Sequence, residues 1–127
     1  MKFIQKILFI FLITININAI ELNQNLMMDM SRTYGYYIGQ THVLDLIEKK
    51  YPNLKNDVFL AKNEFDLKYL KSIKEIEQSF LKIMTKKQWD EYKVNLKNKI
   101  KEQLKYDYIT QQESLNFIQE VKTRATG

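Results

Sequence analysis

His42 is the only histidine in the chain, and Asp45 follows it at a spacing of one helical turn. A histidine beside a carboxylate can carry a proton or help to hold a metal ion. No second histidine exists, and no serine or cysteine lies nearby in the sequence to act as nucleophile. We therefore interpret His42 as a polar residue packed beside the neighbouring glycines. A small periplasmic enzyme with its site around His42 is the alternative.

Other motifs with known chemistry are absent from the sequence. The chain has no phosphate-binding glycine loop, nucleophile elbow, metalloprotease motif or calcium loop. It also has no cysteine among its 127 residues, which excludes thiol chemistry and thiolate metal sites. We expect no catalytic residue, no metal, no cofactor and no small-molecule ligand.

The segment from Tyr34 to His42 concentrates tyrosine and glycine. Three tyrosines in four positions point in three directions from a helix, so they cannot all lie in the core. Tyr34 and Tyr37 fit the apolar stripe, whereas Tyr36 falls off it and either contacts a partner or packs under a neighbouring loop or the terminus. Tyrosine is enriched at recognition surfaces because it brings area and a hydroxyl at low entropic cost. The candidate binding residues are Tyr34, Gly35, Tyr36, Gly39 and His42.

The two glycines of this segment, Gly35 and Gly39, lie one turn apart on the same side of the predicted helix. Each costs the helix about 1 kcal/mol relative to alanine, and the usual compensation is close approach of another backbone. We favour a neighbour within this chain over a partner protein. The segment resembles the aromatic-glycine helix of small helical periplasmic immunity proteins, which usually carry cysteines that this chain lacks. The resemblance implies a partner-binding role and assigns no family.

The composition predicts an all-α fold, because three glycines and one proline are too few for the turns of a β-fold of this size. We expect a small bundle of about four helices. Tyr51-Pro52-Asn53 interrupts the pattern, and so short a connection makes the first two helices a long antiparallel hairpin. The predicted helices cover Glu21–Lys50, Asn53–Met84, Thr85–Leu104 and the residues after Thr110.

Two capping boxes, Thr85 with Gln88 and Thr110 with Glu113, mark the starts of the third and fourth helices, and residues 106–109 form the loop between them. Apolar residues at helical spacing define the side of each later helix that faces the core. In the second helix these are Val58, Ala61, Phe65, Tyr69, Ser72, Ile76, Ser79 and Ile83, and the stripe is widened on one side by Leu70, Ile73, Phe80 and Leu81. In the third they are Trp89, Tyr92, Leu96, Ile100 and Leu104, and in the fourth Leu115, Ile118 and Val121, with Phe117 and Ala125 closing one end of the bundle.

A row of lysines at every fourth position of the third helix runs beside its apolar stripe. Such rows usually form a solvated face whose aliphatic stems cover the edge of the core. An anionic partner or a membrane headgroup is the alternative, which would make the chain a peripheral membrane-associated protein. The row comprises Lys93, Lys97, Lys101 and Lys105.

Residues 1–19 have the pattern of a secretory signal peptide. Lys2 and Lys6 provide the positive start, residues 7–13 are an unbroken apolar run, and Ala19 is a suitable residue for cleavage. An uncleaved membrane anchor is the alternative, but the apolar run is short of the roughly 20 residues that a span requires. Residues 20–127 would then be a single helical domain, ending at Gly127 either naturally or by truncation.

Removal of Lys2 and Lys6 with no accompanying acid lowers the formal net charge from +5 to +3. Nucleic-acid-binding proteins usually carry a denser basic patch on one face, so we expect no nucleic-acid partner. We expect a periplasmic or secreted, non-catalytic protein that binds another protein or itself. An immunity or inhibitor protein and an accessory subunit are two versions of this function.

Overall fold

The computed structural model describes residues 24–103 and 109–126, and every regular element in these ranges is helical. The four α-helices are α1 (Gln24–Lys50), α2 (Lys55–Leu81), α3 (Lys86–Gln103) and α4 (Gln111–Thr126). A short 3₁₀ turn, Pro52–Leu54, joins α1 to α2. The predicted all-α fold with about four helices is confirmed. No helix in the described ranges is long and apolar enough to cross a membrane.

Several predicted features lie outside the described residues. They are the signal peptide of residues 1–19, the first residues of the predicted first helix, Leu104, Lys105, the loop residues 106–108 and the terminal Gly127.

The second helix is shorter than predicted at both ends, because its first residues form the 3₁₀ turn and residues 82–84 form another turn. Pro52 has no N–H to donate and suits the start of the turn. At the other end, the Lys82 N–H donates to the Ser79 carbonyl over 3.3 Å, an i→i−3 bond that tightens the last turn. The prediction of an uninterrupted helix over Asn53–Met84 was wrong in these two details.

The capping box predicted at Thr85 and Gln88 is confirmed, and the one predicted at Thr110 and Glu113 is confirmed in part. The Gln88 N–H donates to Thr85 Oγ1 over 3.2 Å, and the Thr85 N–H donates to Gln88 Oε1 over 2.9 Å. The Glu113 N–H likewise donates to Thr110 Oγ1 over 3.1 Å, but the Thr110 hydroxyl donates to Glu113 Oε1 over 3.0 Å. The first cap satisfies two backbone N–H groups at the start of its helix, and the second cap satisfies one.

The buried face of α2 departs from the predicted stripe in its second half. Val58 and Phe65 are buried as predicted, and so are Ile73 and Phe80 on the widened side of the stripe, but Ser72 is exposed. A seven-residue repeat drifts by about 20° per heptad on a straight helix. Over the two heptads from Val58 to Ser72 the drift is about 40°, which moves Ser72 towards the edge of the core face. Ile73 and Phe80, on the other side of the stripe, lie within the core.

The remaining helices complete one continuous hydrophobic cluster. In α3, Trp89, Tyr92, Leu96 and Ile100 are buried as predicted. In α4, Ile118 and Val121 are buried but Leu115 is only partly so. Phe117 is fully buried in this cluster.

Three contacts fix the relative positions of the helices. Asp45 of α1 pairs with Lys62 of α2, and the Tyr37 hydroxyl of α1 donates to Asp66 of α2. At the far end of α1, the Tyr51 hydroxyl donates to the Ile109 carbonyl over 2.7 Å, just before α4 begins. Helix α4 packs mainly against α2.

Candidate functional site

Tyr34 belongs to the core. It is 2% exposed, and its ring centroid lies 5.2 Å from that of Trp89. Burial raises the pKa of its hydroxyl, so Tyr34 stays neutral at physiological pH. Tyr34 was a predicted binding residue, but the fold places it away from solvent.

The two glycines are also buried within the chain. No glycine in the described residues has a positive φ, so neither Gly35 nor Gly39 is required by a left-handed backbone. Glycine has no side chain, so at these two positions the covered side of α1 carries none. The contact that buries them is intramolecular, and neither of them faces solvent.

Tyr36 and Tyr37 are partly exposed and line a cleft of about 220 Å³ between α1 and α2. The Tyr37 ring lies parallel to that of Phe65 at 5.6 Å and 13°, and Phe65 contacts Tyr69 at 4.8 Å. Phe65 itself is 2% exposed and supports the cleft from within. The cleft, which we call the tyrosine cleft, is lined by Arg32, Thr33, Tyr36, Tyr37, Phe65, Tyr69 and Ile73.

The hydroxyls of the two partly exposed tyrosines are held by different helices. Tyr37 donates to Asp66 Oδ1 over 2.9 Å, and burial, reinforced by this acceptor, raises the pKa of Tyr37 to about 12. The Tyr36 hydroxyl accepts a hydrogen bond from Arg124 Nη1 over 2.7 Å. Burial raises the pKa of Tyr36 even though Arg124 opposes the shift. Hydrogen bonds within the chain thus hold both hydroxyls in place.

His42 lines a second cleft, of about 330 Å³, between α1 and α3. We call it the lysine cleft; its residues are Ile38, Thr41, His42, Asp45, Lys97, Ile100 and Lys101. Burial lowers the pKa of His42, Lys101 adds to this shift and Asp45 opposes it. Within the described residues, no group of three or more His, Cys, Asp or Glu side chains could hold a metal ion.

A third feature is an exposed apolar strip on the outer face of α2. Leu67 is 88% exposed, and Phe59 and Leu60 are also largely exposed. Leu60 and Leu67, which form this strip, lie opposite Phe65 on the helix wheel, whereas Phe59 lies on the flank nearer Ile73. Scattered exposed apolar residues are common on soluble proteins, so the strip by itself indicates no binding.

Of the seven residues that line the tyrosine cleft, only Tyr36 was among the predicted binding residues. Tyr37 and Tyr69 were assigned to the buried stripe, and Arg32 was not singled out. One signal was available, since Arg32 precedes Tyr36 by four residues and so lies on the same face of α1. Arg124, which positions Tyr36, comes from the last helix, and no local pattern connects it with α1.

No protein-family model matches this chain, and comparisons with curated proteins and with solved structures give no match.

Proposed function

We propose that this chain is an exported, non-catalytic helical protein that binds another protein through the tyrosine cleft. An immunity or inhibitor protein and an accessory subunit are the two forms of this function. The supporting observation is that Tyr36 and Tyr37 present partly exposed rings whose hydroxyls Arg124 and Asp66 already hold. Pre-positioned tyrosines beside an arginine are typical of the residues that dominate binding energy at protein interfaces.

The dimensions of the tyrosine cleft favour insertion of one large apolar side chain. Its volume of about 220 Å³ and its aromatic walls suit a leucine, phenylalanine or tryptophan from the partner. Arg32 lies at the cleft and is only loosely paired, 3.8 Å from Asp29. A carboxylate next to the inserted side chain would therefore meet a positive charge, which favours the association rate and the specificity of binding more than affinity.

The proposed architecture is a bundle in which α1 and α2 form a long antiparallel hairpin. The contacts Asp45–Lys62 and Tyr37–Asp66 support it, because moving back along α1 corresponds to moving forward along α2. In this arrangement the tyrosine cleft lies towards the open end of the hairpin, away from the Pro52–Leu54 turn.

The proposed location is the periplasm or the exterior of the cell, with cleavage after Ala19. The support for export comes from the sequence of residues 1–19 alone. A protein without cysteine can fold in an oxidising compartment by packing alone at this chain length.

The proposed function can be tested by pull-down from the exporting cell with the tyrosine cleft blocked. Thr33 is exposed at the rim, so Thr33→Arg fills the cleft without removing a core side chain. We expect this variant to lose the partner at least tenfold while its thermal melt stays close to wild type. Leu67→Ser, on the outer strip, is the matched control and should retain the partner. If Thr33→Arg retained the partner and Leu67→Ser lost it, the interface would lie on the outer face of α2.

The second candidate is an enzyme centred on His42, and one observation favours it. His42 and Asp45 line the same cleft together with the Thr41 hydroxyl. Against it, Asp45 is paired with Lys62, which draws the carboxylate away from a role as orienting partner. Purified protein that hydrolyses simple chromogenic esters, with loss of the activity in His42→Gln, would support the enzyme over the binding protein.

A further inference from the structure

Two cations converge on the lysine cleft from α3. Lys97 and Lys101 lie one helical turn apart and both line the space beside Thr41 and His42. Neither lysine has a carboxylate partner among the described residues, whereas Lys93 of the same row pairs with Asp90 at 3.5 Å. Of the three lysines of this row that the structure describes, Lys93 is engaged by Asp90, and Lys97 and Lys101 face the cleft.

The single carboxylate of the lysine cleft does not balance these charges. Asp45 pairs with Lys62 of α2, so its negative charge is largely satisfied from outside the cleft. The charged groups that face His42 are Asp45 from α1 and Lys97 and Lys101 from α3, with Lys62 of α2 reached through Asp45. The balance in the cleft is positive.

The cleft also has hydrogen-bond donors and buried apolar side chains, and both favour the binding of an anion. The Thr41 hydroxyl and the His42 imidazole can each donate a hydrogen bond at neutral pH. Ile100 is buried beneath them and Ile38 is partly buried, which reduces the local polarity and strengthens charge interactions there.

We propose that the lysine cleft binds a single oxyanion group of the phosphate or sulfate class. Lys97 and Lys101 supply the charge, and Thr41 and His42 donate hydrogen bonds to the anion oxygens. Hydrogen bonds between charged groups are stronger than neutral ones, and this set of donors approaches from two helices. The site is separate from the tyrosine cleft and does not depend on the proposed protein partner.

Binding of the anion is coupled to protonation of His42. In the protein without a bound anion, burial and Lys101 lower the pKa of His42, so the imidazole is neutral at neutral pH. A bound anion favours the protonated form and raises this pKa. By reciprocity, protonation of His42 as the pH falls tightens anion binding.

His42 is the only histidine, so a proton NMR titration of its imidazole reports this cleft alone in a chain without a histidine tag. The titration runs from pH 5 to 8 in sodium sulfate and in sodium chloride of equal ionic strength, because sulfate keeps its charge over this range. We expect sulfate to raise the His42 pKa by about half a unit or more relative to chloride. The variant Lys97→Ala/Lys101→Ala should abolish the rise. The control Lys86→Ala/Lys87→Ala removes the same charge from the same helix and should retain it.

Two further experiments distinguish a soluble anion from a lipid headgroup as the source of the oxyanion. Inorganic phosphate that shifts the His42 pKa as sulfate does indicates a soluble anion. Sedimentation with phosphatidylglycerol vesicles but not with phosphatidylcholine vesicles, lost in Lys97→Ala/Lys101→Ala, indicates a lipid headgroup. The proposal is overturned if no anion or vesicle produces a response, or if the double variant responds as wild type does. Failure here would leave the Thr33→Arg pull-down result unaffected.

Discussion

The Arg124 guanidinium of α4 donates a hydrogen bond to the Tyr36 hydroxyl of α1, 2.7 Å away and 88 residues distant in the chain. Its central carbon lies 5.9 Å from the centroid of the Tyr36 ring, and another of its nitrogens lies 3.3 Å from Glu120. One side chain therefore links the last helix to the first and orients a wall of the tyrosine cleft. The pairing is partly buried, so solvent screens it less than an exposed pair.

A double-mutant cycle measures this link. Tyr36→Phe removes only the hydroxyl, and Arg124→Leu removes its donor while keeping much of the aliphatic packing. We expect a coupling free energy of about 0.5–1.5 kcal/mol from urea denaturation, the usual value for an intramolecular hydrogen bond. The same cycle at Asp29 and Arg32, whose 3.8 Å pair is exposed, should give a value near zero. Equal coupling in the two cycles would contradict a specific role for Arg124.

Phe65 is the central aromatic residue beneath the tyrosine cleft. It is 2% exposed and contacts the rings of Tyr36, Tyr37 and Tyr69. Phe65→Ala should lower the free energy of unfolding by about 3–5 kcal/mol, because it removes a buried ring and leaves a cavity. Lys71→Ala, at an exposed position of the same helix, should change it by less than about 0.5 kcal/mol. Comparable losses in urea melts of the two variants would show that the buried face of α2 is wrongly assigned.

Local sequence patterns predicted the elements of this fold better than their faces. Thr85 and Thr110 correctly predicted the starts of two helices, because a capping box depends on residues only three positions apart. Ser72 was placed in the core and is exposed, since the exact face depends on how a long helix turns against its neighbours. Pattern arguments are most secure where the interaction is local.

The candidate sites were less predictable for the same reason. Tyr36 was recognised as an outlier from the apolar stripe, but its partner Arg124 lies on the last helix. His42 was recognised as a single polar group, but the lysines beside it come from α3. Each site is formed by side chains whose proximity arises from packing of whole helices, and a single sequence does not encode that proximity in any local spacing.

Export predicts a specific N-terminus for the mature protein. We expect cleavage after Ala19, because a charged start and a short apolar run precede this small residue. N-terminal sequencing of protein recovered outside the cytoplasm should therefore begin at Ile20. A form that begins at Met1 and fractionates with membranes would instead indicate an uncleaved anchor.

Gln40 is a buried polar residue whose replacement should stabilise the protein. It is 0% exposed, and neither polar atom of its amide has a hydrogen-bond partner among the described residues. Burying an amide without partners costs free energy, so the similarly shaped Gln40→Met should raise the free energy of unfolding by about 1–3 kcal/mol. Gln112→Met, at an exposed position of α4, is the control and should change it little. A destabilised Gln40→Met would imply that the amide is satisfied in solution.

A substitution at Gly39 tests whether the covered side of α1 is closely packed, as the burial of this residue indicates. A leucine there has no room beside the neighbouring elements, so Gly39→Leu should lower the free energy of unfolding by about 1–3 kcal/mol through overpacking. Ser72→Leu places the same side chain at an exposed helical position and should have almost no effect. The two variants are compared by thermal melts beside the partner pull-down. If Gly39→Leu melted at or above the wild-type temperature but lost the partner, the glycine side of α1 would be a binding surface rather than an internal contact. Full retention of both stability and partner would show that Gly39 serves neither role.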